Sequence, residues 1–207
     1  MPTLTIDGRE VSVPEGATVL EAVRAAGIDI PHLCKDDDQA PIGACRTCLV
    51  LVEGQRGLPA SCYLPAADGM RVSTHGDALD RVRATVLDLT LAMLDPGGRG
   101  ASLLATEAAR FGASGPFAPA PNAAFDDSTP AFTLNHADCI LCQRCVEGCQ
   151  DVQHIGAIAV LGGGEAARIG TFLDRPLLQS ICTSCGTCVS VCPTGALYPR
   201  VAGSLAT

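Results

Sequence analysis

Two cysteine runs with the same internal spacing constrain this chain of 207 residues more than any other feature. The first is Cys139-Ile-Leu-Cys142-Gln-Arg-Cys145-Val-Glu-Gly-Cys149, and the second is Cys182-Thr-Ser-Cys185-Gly-Thr-Cys188-Val-Ser-Val-Cys192-Pro193. Both follow C-x2-C-x2-C-x3-C, in which three close cysteines bind one [4Fe–4S] cluster and the fourth binds the cluster of the other run. The spacing therefore predicts two crossed sites, formed by Cys139, Cys142, Cys145 and Cys192 and by Cys149, Cys182, Cys185 and Cys188.

Zinc ligation and disulfide bonding are the alternative uses of these cysteines. A structural zinc site typically takes two cysteine pairs, not two runs of four. Disulfides are typical of secreted proteins, and residues 1–7 have neither the basic start nor the apolar core of a signal peptide. We therefore expect iron–sulfur clusters at both runs, in a cytoplasmic protein.

The segment of residues 1–75 is predicted to form one small module. Apolar runs at residues 4–6 and 11–13 flank Asp7-Gly8, which is a strong signal for a hairpin turn. Thr18 and Glu21 form a capping box that starts a helix, and Gly27 ends it. Further strands are predicted at residues 49–52 and 71–73.

Four more cysteines lie in this first module with the spacing C-x10-C-x2-C-x13-C, namely Cys34, Cys45, Cys48 and Cys62. The plant-type [2Fe–2S] site has C-x4-C-x2-C and a distant fourth cysteine, so the outer gaps differ here. A hairpin, a helix and cysteines on a loop still favour a β-grasp domain that binds one [2Fe–2S] cluster, with a four-cysteine zinc loop as the alternative. Gly43 adds support, because a glycine beside a cluster lets backbone N–H groups approach sulfur.

The middle of the chain, residues 76–131, carries no predicted chemistry. Apolar residues at steps of three and four predict a helix over residues 77–94, with a packing or docking face made of Leu79, Val82, Val86, Leu89 and Met93. A second helix is predicted at residues 102–110. Residues 112–130 are rich in Ala, Pro, Gly and Ser, which predicts a linker.

The segment of residues 132–207 is predicted to be the second module, with a hairpin of residues 155–161 and 167–172 between its two cysteine runs. Gly162, Gly164 and Ala167 superficially match a dinucleotide-binding fingerprint, but the flanking ligands leave no room for a βαβ unit. Twelve cysteines complete three sites of four ligands, so we expect the histidines to lie behind the ligands or at the protein surface and not to bind iron. The histidines in question are His32, His75, His136 and His154.

Charge excludes two classes of partner. The formal net charge is −8, and ligating thiolates make the balance more negative. An acidic chain lacks the basic surface that nucleic acids and anionic membranes require. No apolar run reaches 18 residues, so we expect no direct membrane insertion.

The order of these motifs resembles a known electron-entry module. It is similar to the N-terminal part of the large iron–sulfur subunit of respiratory complex I, to the N-terminus of NAD-dependent formate dehydrogenase α subunits, and to the small diaphorase subunit of NAD-reducing hydrogenases. The resemblance is carried by Gly43-Ala-Cys-Arg-Thr-Cys48, Cys145-Val-Glu-Gly-Cys-Gln-Asp-Val-Gln153 and Cys185-Gly-Thr-Cys-Val-Ser-Val-Cys-Pro-Thr-Gly-Ala-Leu197. It implies an α+β chain with a [2Fe–2S] β-grasp domain, a helical connector and a bacterial-type two-cluster ferredoxin domain.

The chain departs from that family in its middle segment. The family usually has another [4Fe–4S] site there, held by one histidine and three cysteines. Residues 94–112 contain neither residue type, so we expect one [2Fe–2S] and two [4Fe–4S] clusters in total.

The resemblance also implies the function. We expect a non-catalytic subunit that passes single electrons between a flavoprotein subunit oxidising NAD(H) and a separate catalytic subunit of the molybdenum, tungsten or hydrogenase type. A chain with no recognisable catalytic residues fits this role, because iron–sulfur clusters move one electron at a time. A free multi-cluster carrier and a redox sensor are the alternatives.

Overall fold

The computed structural model describes residues 1–200, which divide into two compact units. The first unit contains residues 1–35, 40–88 and 107–114, and the second contains residues 36–39, 89–106 and those from 115 onward. The end of the predicted 132–207 module, residues 201–207, lies outside the described residues. The predicted boundaries at residues 75 and 131 stay predictions.

The first unit is built on a four-stranded mixed sheet with the order β2-β1-β4-β3. Strand β1 pairs in parallel with β4, and the other neighbouring pairs are antiparallel. Its elements are β1 (Thr3–Ile6), β2 (Arg9–Ser12), α1 (Val19–Ala25), β3 (Leu51–Val52) and β4 (Arg71–Ser73).

Local sequence signals explain the first half of this unit. Asp7 and Gly8 both have positive φ, 46° and 80°, which is the conformation that a two-residue type I′ hairpin needs. Thr18 and Glu21 form the predicted capping box at the start of α1. Val19 and Val23 of this helix are fully buried in the same apolar core as the residues of β1, and each such side chain stabilises the fold by about 1.5–3 kcal/mol.

Helix α2 (Asp77–Ala92) forms where it was predicted, but its buried residues coincide with the predicted apolar face only at Leu79. The buried row is Leu79, Arg83 and Leu87, at 0%, 1% and 0% exposure. Val82 and Leu89 are 39% and 50% exposed instead. The apolar pattern failed because a charged side chain takes a core position on this helix, where backbone carbonyls accept its hydrogen bonds.

The second unit contains a three-stranded antiparallel sheet and a two-stranded hairpin. The sheet has the order β5-β6-β9 and the hairpin pairs β7 with β8. Helix α3 (Arg99–Arg110) contributes its first eight residues to this unit. The remaining elements are β5 (Phe125–Asp126), β6 (Phe132–Asn135), α4 (Arg144–Glu147), β7 (Ile158–Leu161), β8 (Arg168–Thr171), α5 (Thr187–Ser190) and β9 (Leu197–Pro199), with α4 continuing as a π-helical turn at Gly148–Val152.

The predicted linker at residues 112–130 is partly wrong, because residues 125–126 form β5. Asp126 anchors this segment, since its carboxylate accepts hydrogen bonds from the N–H of Ser128 at 2.9 Å and of Leu177 at 2.8 Å. A strand of two residues leaves no periodic signal in the sequence, so composition alone pointed to a linker.

The start of α3, with Gly98 just before it, packs tightly on the buried carboxylate of Asp138. One carboxylate oxygen accepts from the N–H of Gly100 at 2.8 Å, and the other accepts from Asn135 Nδ2 at 2.8 Å. A Cβ atom at Gly98 would lie 2.4 Å from the same carboxylate. Residues 94–112, which contain neither cysteine nor histidine, are thus held by the Asp138 carboxylate, which caps the start of α3, and by close backbone contacts.

No helix among the described residues combines the length and the apolar character needed to cross a membrane.

Candidate iron–sulfur cluster sites

The structure brings the four cysteines of the first unit together. The Cys34 thiol is within hydrogen-bonding reach of those of Cys45 and Cys62, and Cys62 is also within reach of Cys48. The N–H of Cys45 points at Cys34 Sγ, 3.4 Å away. Cys34, Cys48 and Cys62 are buried, and Cys45 is partly exposed.

These four sulfur atoms share protons unequally. Hydrogen bonds from Cys45 and Cys62 lower the pKa of Cys34 to about 2, and the bond with Cys62 lowers the pKa of Cys48 to about 6. The pKa values of Cys45 and Cys62 are raised, because their thiols donate to Cys34 and because both are buried. Since the thiolate is the form that ligates iron, the packing already favours thiolate at two of the four positions.

The loop that presents Cys45 and Cys48 is held in an unusual conformation. Arg46 lies between them with a φ of 56°, a left-handed backbone that costs about 1–3 kcal/mol for a residue other than glycine. Buried Thr47 stabilises it, with Oγ1 3.1 Å from Cys45 Sγ and 3.4 Å from the N–H of Leu33, which donates to it.

In the second unit, two cavities collect the other eight cysteines in crossed sets. Apart from the cysteines, both are lined mainly by apolar side chains, and both touch Leu134 and Leu197. One contains Cys139, Cys142, Cys145 and Cys192, and the other contains Cys149, Cys182, Cys185 and Cys188. The fourth cysteine of each run thus faces the cavity of the other run.

The two C-x2-C-x2-C loops have the same backbone shape. The residue before the second cysteine has positive φ in both, 53° at Leu141 and 56° at Ser184. The residue after the second cysteine does too, 67° at Gln143 and 85° at Gly186. Leu141, Gln143 and Ser184 adopt this conformation without being glycine, so the loop geometry overrides residue preference in both repeats.

This shape points backbone N–H groups at sulfur. The N–H of Leu141 lies 3.4 Å from Cys139 Sγ, and the N–H of Ser184 lies 3.4 Å from Cys182 Sγ. The N–H of Ala157 lies 3.3 Å from Cys149 Sγ. Hydrogen bonds of this kind stabilise ligating thiolates and help to set a cluster's potential.

Burial and neighbouring thiolates raise the pKa of several of these cysteines. Burial raises the pKa of Cys139 to about 11, with a smaller contribution from Cys192. Burial also raises the pKa of Cys188 to about 12, and the charges of Cys182, Cys185 and Cys149 add to it. Such thiols hold their protons until a metal displaces them, so cluster assembly here must release protons.

Cys185 differs from the other eleven cysteines because it alone is exposed. Burial raises the pKa of Cys185, but hydrogen bonds with the N–H and the hydroxyl of Thr187, and with the side chain of Thr183, outweigh that effect and lower the pKa. The site around Cys149, Cys182, Cys185 and Cys188 therefore has its most accessible edge at Cys185.

The donor sets fit iron–sulfur clusters. Within residues 1–200, no three His, Cys, Asp or Glu side chains are arranged to hold a single metal ion. Each of the three places has four thiols and at least one backbone N–H directed at sulfur, and a set of four cysteines is the ligand set that would hold a [2Fe–2S] or a [4Fe–4S] cluster. Sequence reasoning missed Thr47 and Thr187, since threonine beside a cysteine has no distinctive pattern.

Two of the four histidines have both ring nitrogens engaged by protein groups. His136 lies with Nδ1 2.9 Å from the Ala124 carbonyl and Nε2 2.6 Å from that of Ile169. His32 lies between the Ile30 carbonyl, at 2.8 Å, and a guanidinium nitrogen of Arg24, at 2.7 Å.

The glycines that match a dinucleotide fingerprint lie in a β-hairpin. Gly162 and Gly164 connect β7 to the antiparallel strand β8. That geometry lacks the strand-to-helix turn on which pyrophosphate binding depends.

Comparison with known proteins assigns the family. Residues 1–77 match the family described as "2Fe-2S iron-sulfur cluster binding domain", and residues 129–198 match "NADH-quinone oxidoreductase subunit 3, ferredoxin-like domain". The structure is similar to a chain in the crystal structure of an NAD+-reducing [NiFe]-hydrogenase in the H2-reduced state, with a TM-score of 0.85 and 33% identity. The match covers 100% of this chain and 90% of that one. The chain belongs to the family of iron–sulfur subunits of NAD(P)-linked oxidoreductases.

Curated members of this family are longer proteins. NADP-reducing hydrogenase subunit HndD of Solidesulfovibrio fructosivorans is 38% identical over 209 residues, which is 95% of this chain and 36% of the relative. NADPH-Fe(3+) oxidoreductase subunit alpha of Geobacter sulfurreducens is 34% identical over 211 residues, which is 97% of this chain and 24% of the relative. This chain thus spans about a third or less of these two relatives. The family matches of residues 1–77 and 129–198 confirm the [2Fe–2S] domain and the [4Fe–4S] ferredoxin-like domain expected from the sequence.

Proposed function

We propose that this chain is the electron-transfer subunit of a multisubunit NAD(P)-linked oxidoreductase, in the cytoplasm. It relays single electrons between a flavin-bearing subunit that oxidises or reduces NAD(P)(H) and a separate metal-dependent catalytic subunit, such as a hydrogenase or a formate dehydrogenase. The observation that carries the proposal is the grouping of all twelve cysteines into three sets of four.

Each set of four is assigned one cluster. Cys34, Cys45, Cys48 and Cys62 hold a [2Fe–2S] cluster. The two crossed sets hold [4Fe–4S] clusters, one at Cys139, Cys142, Cys145 and Cys192 and one at Cys149, Cys182, Cys185 and Cys188. When bound, these clusters supply one-electron redox chemistry at positions that the protein fixes.

The chain's own residues position, insulate and tune these clusters. Apolar side chains such as Leu134 and Leu197 surround both crossed sets and keep water away from them. Backbone N–H groups directed at sulfur favour the thiolate ligands. The exposed edge at Cys185 is the place where a partner's redox centre can come nearest to the second [4Fe–4S] site.

Redox chemistry explains why a flavoprotein partner is needed. NAD(P)H delivers a hydride, which carries two electrons, whereas an iron–sulfur cluster accepts one. A flavin accepts the hydride and releases its electrons singly, so it must stand between the nucleotide and this chain.

The test starts from the chain expressed with all its clusters under anaerobic conditions. Dithionite should reduce it, and NADH or NADPH alone should not. Affinity purification from its own cells should then give a complex that contains flavin in fixed ratio to this chain. NADH or NADPH should reduce the iron–sulfur clusters of that complex.

Three outcomes would contradict the proposal. Rapid reduction of the isolated, flavin-free chain by NADH or NADPH would place a nucleotide site on this chain. A chain that purifies alone and passes electrons to several unrelated acceptors would be a free carrier. A chain whose affinity for a partner changes on reduction, without onward electron transfer, would be a sensor.

A further inference from the structure

Arg83 is the only cation among the buried residues of α2, which otherwise are Leu79, Leu87 and Asp88. It is 1% exposed and lies between Leu79 and Leu87, one turn away on either side. A buried guanidinium is tolerated only where protein hydrogen bonds replace those it would make with water. The hydrogen-bond partners of Arg83 therefore indicate its role.

Those partners belong mainly to the loop that carries the [2Fe–2S] ligands. Nε donates to the Thr47 carbonyl at 3.3 Å, and Nη2 donates to the Leu49 carbonyl at 2.7 Å. Nη1 donates to the Thr74 carbonyl at 3.1 Å. Thr47 and Leu49 enclose Cys48, so two arms of the planar guanidinium fork hold the backbone on both sides of a ligand.

The positive charge of Arg83 is only partly balanced. Its ion-pair partner is Asp80, 3.4 Å from Nη1, whose side chain is 48% exposed and therefore screened by solvent, and the charge of Asp7 also acts on it. The other partners are neutral carbonyls. Phe111 covers the guanidinium, with its ring centroid 5.5 Å from Cζ. A cation thus sits in a low-dielectric position beside the cluster loop.

We propose that Arg83 is a positioning residue that holds the Cys45–Cys48 loop and, through its buried charge, raises the reduction potential of the [2Fe–2S] cluster. One-electron reduction converts one Fe(III) to Fe(II) and takes the charge of the cluster and its four thiolates from −2 to −3. A nearby cation stabilises the more negative state, and this attraction is strongest where water is excluded. Burial lowers the pKa of Arg83, and the negative charge at Cys48 is among those that raise it again, which fits electrostatic contact between the two.

The decisive variants separate charge from shape. Arg83→Gln removes the charge and keeps a shorter side chain with hydrogen-bond donors, and Arg83→Lys keeps the charge and loses the fork. Arg81→Gln is the matched control, because Arg81 is exposed on the same helix. The midpoint potential of the [2Fe–2S] cluster is measured in each variant by redox titration followed by EPR, with the two [4Fe–4S] clusters as internal references.

We expect Arg83→Gln to lower the equilibrium constant for reducing the [2Fe–2S] cluster about tenfold, which is about 59 mV for one electron. Arg83→Lys should recover most of that shift, and Arg81→Gln should cause almost none. The [4Fe–4S] potentials should stay unchanged in all three. An unshifted potential in a fully loaded Arg83→Gln variant, or an equal shift in Arg83→Lys, would overturn the proposal.

Failure of the variants to load the cluster is also informative. Loss of the [2Fe–2S] signal alone, with both [4Fe–4S] signals retained, would support the positioning role. Equal loss of all clusters would show a general folding defect and refute a specific role at this loop. The inference rests on the [2Fe–2S] assignment above, which the iron content and EPR signal of the unmodified chain test separately.

Discussion

Crossed ligation in the second unit makes a prediction that iron counting can decide. One cavity contains Cys139, Cys142, Cys145 and Cys192, and the other contains Cys149, Cys182, Cys185 and Cys188. The unmodified chain should hold about ten irons, two from the [2Fe–2S] cluster and eight from two [4Fe–4S] clusters.

Paired substitutions turn this arrangement into two different iron contents. Cys139→Ala with Cys192→Ala removes two ligands from one cavity, so one cluster is lost and about six irons remain. Cys182→Ala with Cys192→Ala removes one ligand from each cavity, so both clusters are damaged and the iron content falls toward about two. The two double variants have the same number of substitutions, so each is the control for the other.

The assay is iron and acid-labile sulfide analysis of protein purified anaerobically, with EPR of the [2Fe–2S] signal as the measure of intact protein. If each run bound its own cluster, the two results would exchange. About six irons in the Cys182/Cys192 variant and fewer in the Cys139/Cys192 variant would therefore refute the crossed assignment.

Four further predictions concern cluster number and stability. Iron analysis of the unmodified chain should give about ten irons, and a value near fourteen would reveal a fourth cluster and contradict our interpretation of the middle segment. Thr18→Ala should destabilise the first unit by about 1 kcal/mol in chemical denaturation, because it removes the cap of α1. Hydrogen bonds from Thr18 lower the pKa of Glu21. The ionised Glu21 carboxylate should therefore stabilise the first unit at neutral pH, and this stabilisation should fade as the pH falls below the unfolded-state pKa of about 4.3. Denaturation midpoints that stay constant as the pH is lowered from neutral through this value would contradict the prediction. Asp138→Ala leaves the buried Gly100 N–H and the half-buried Asn135 amide without their acceptor, and should cost about 2–4 kcal/mol, measured as a lower thermal midpoint in calorimetry, with Asp138→Asn losing less.

Much of the architecture follows from local sequence signals. The Asp7-Gly8 hairpin, the Thr18–Glu21 capping box and the β7–β8 hairpin each depend on residues close together in the chain, and the structure has all three. The cysteine spacings likewise predict which residues gather, because C-x2-C-x2-C leaves the loop few ways to place three sulfur atoms around one cluster.

Periodicity failed where burial depends on distant partners. On α2 the apolar pattern placed Val82 and Leu89 on a packing or docking face and gave no sign that Arg83 is buried, whereas Arg83 is buried and those two are exposed. The carbonyls that satisfy Arg83 belong to residues 47, 49 and 74, which no local window around the helix includes. Strand β5 was missed for a related reason, since its pairing with β6 and its contact with Leu177 come from elsewhere in the chain.

The sequence by itself predicted the ligand types, their grouping, including the crossing of Cys149 and Cys192, and the class of cofactor, because thiol chemistry and spacing are local properties. Only the tertiary structure decided how far each site is covered, with Cys185 as the exposed edge. It also decided that a buried cation lies beside Cys48. These features depend on contacts between residues far apart in the chain, and long-range packing fixes burial, charge environment and access together.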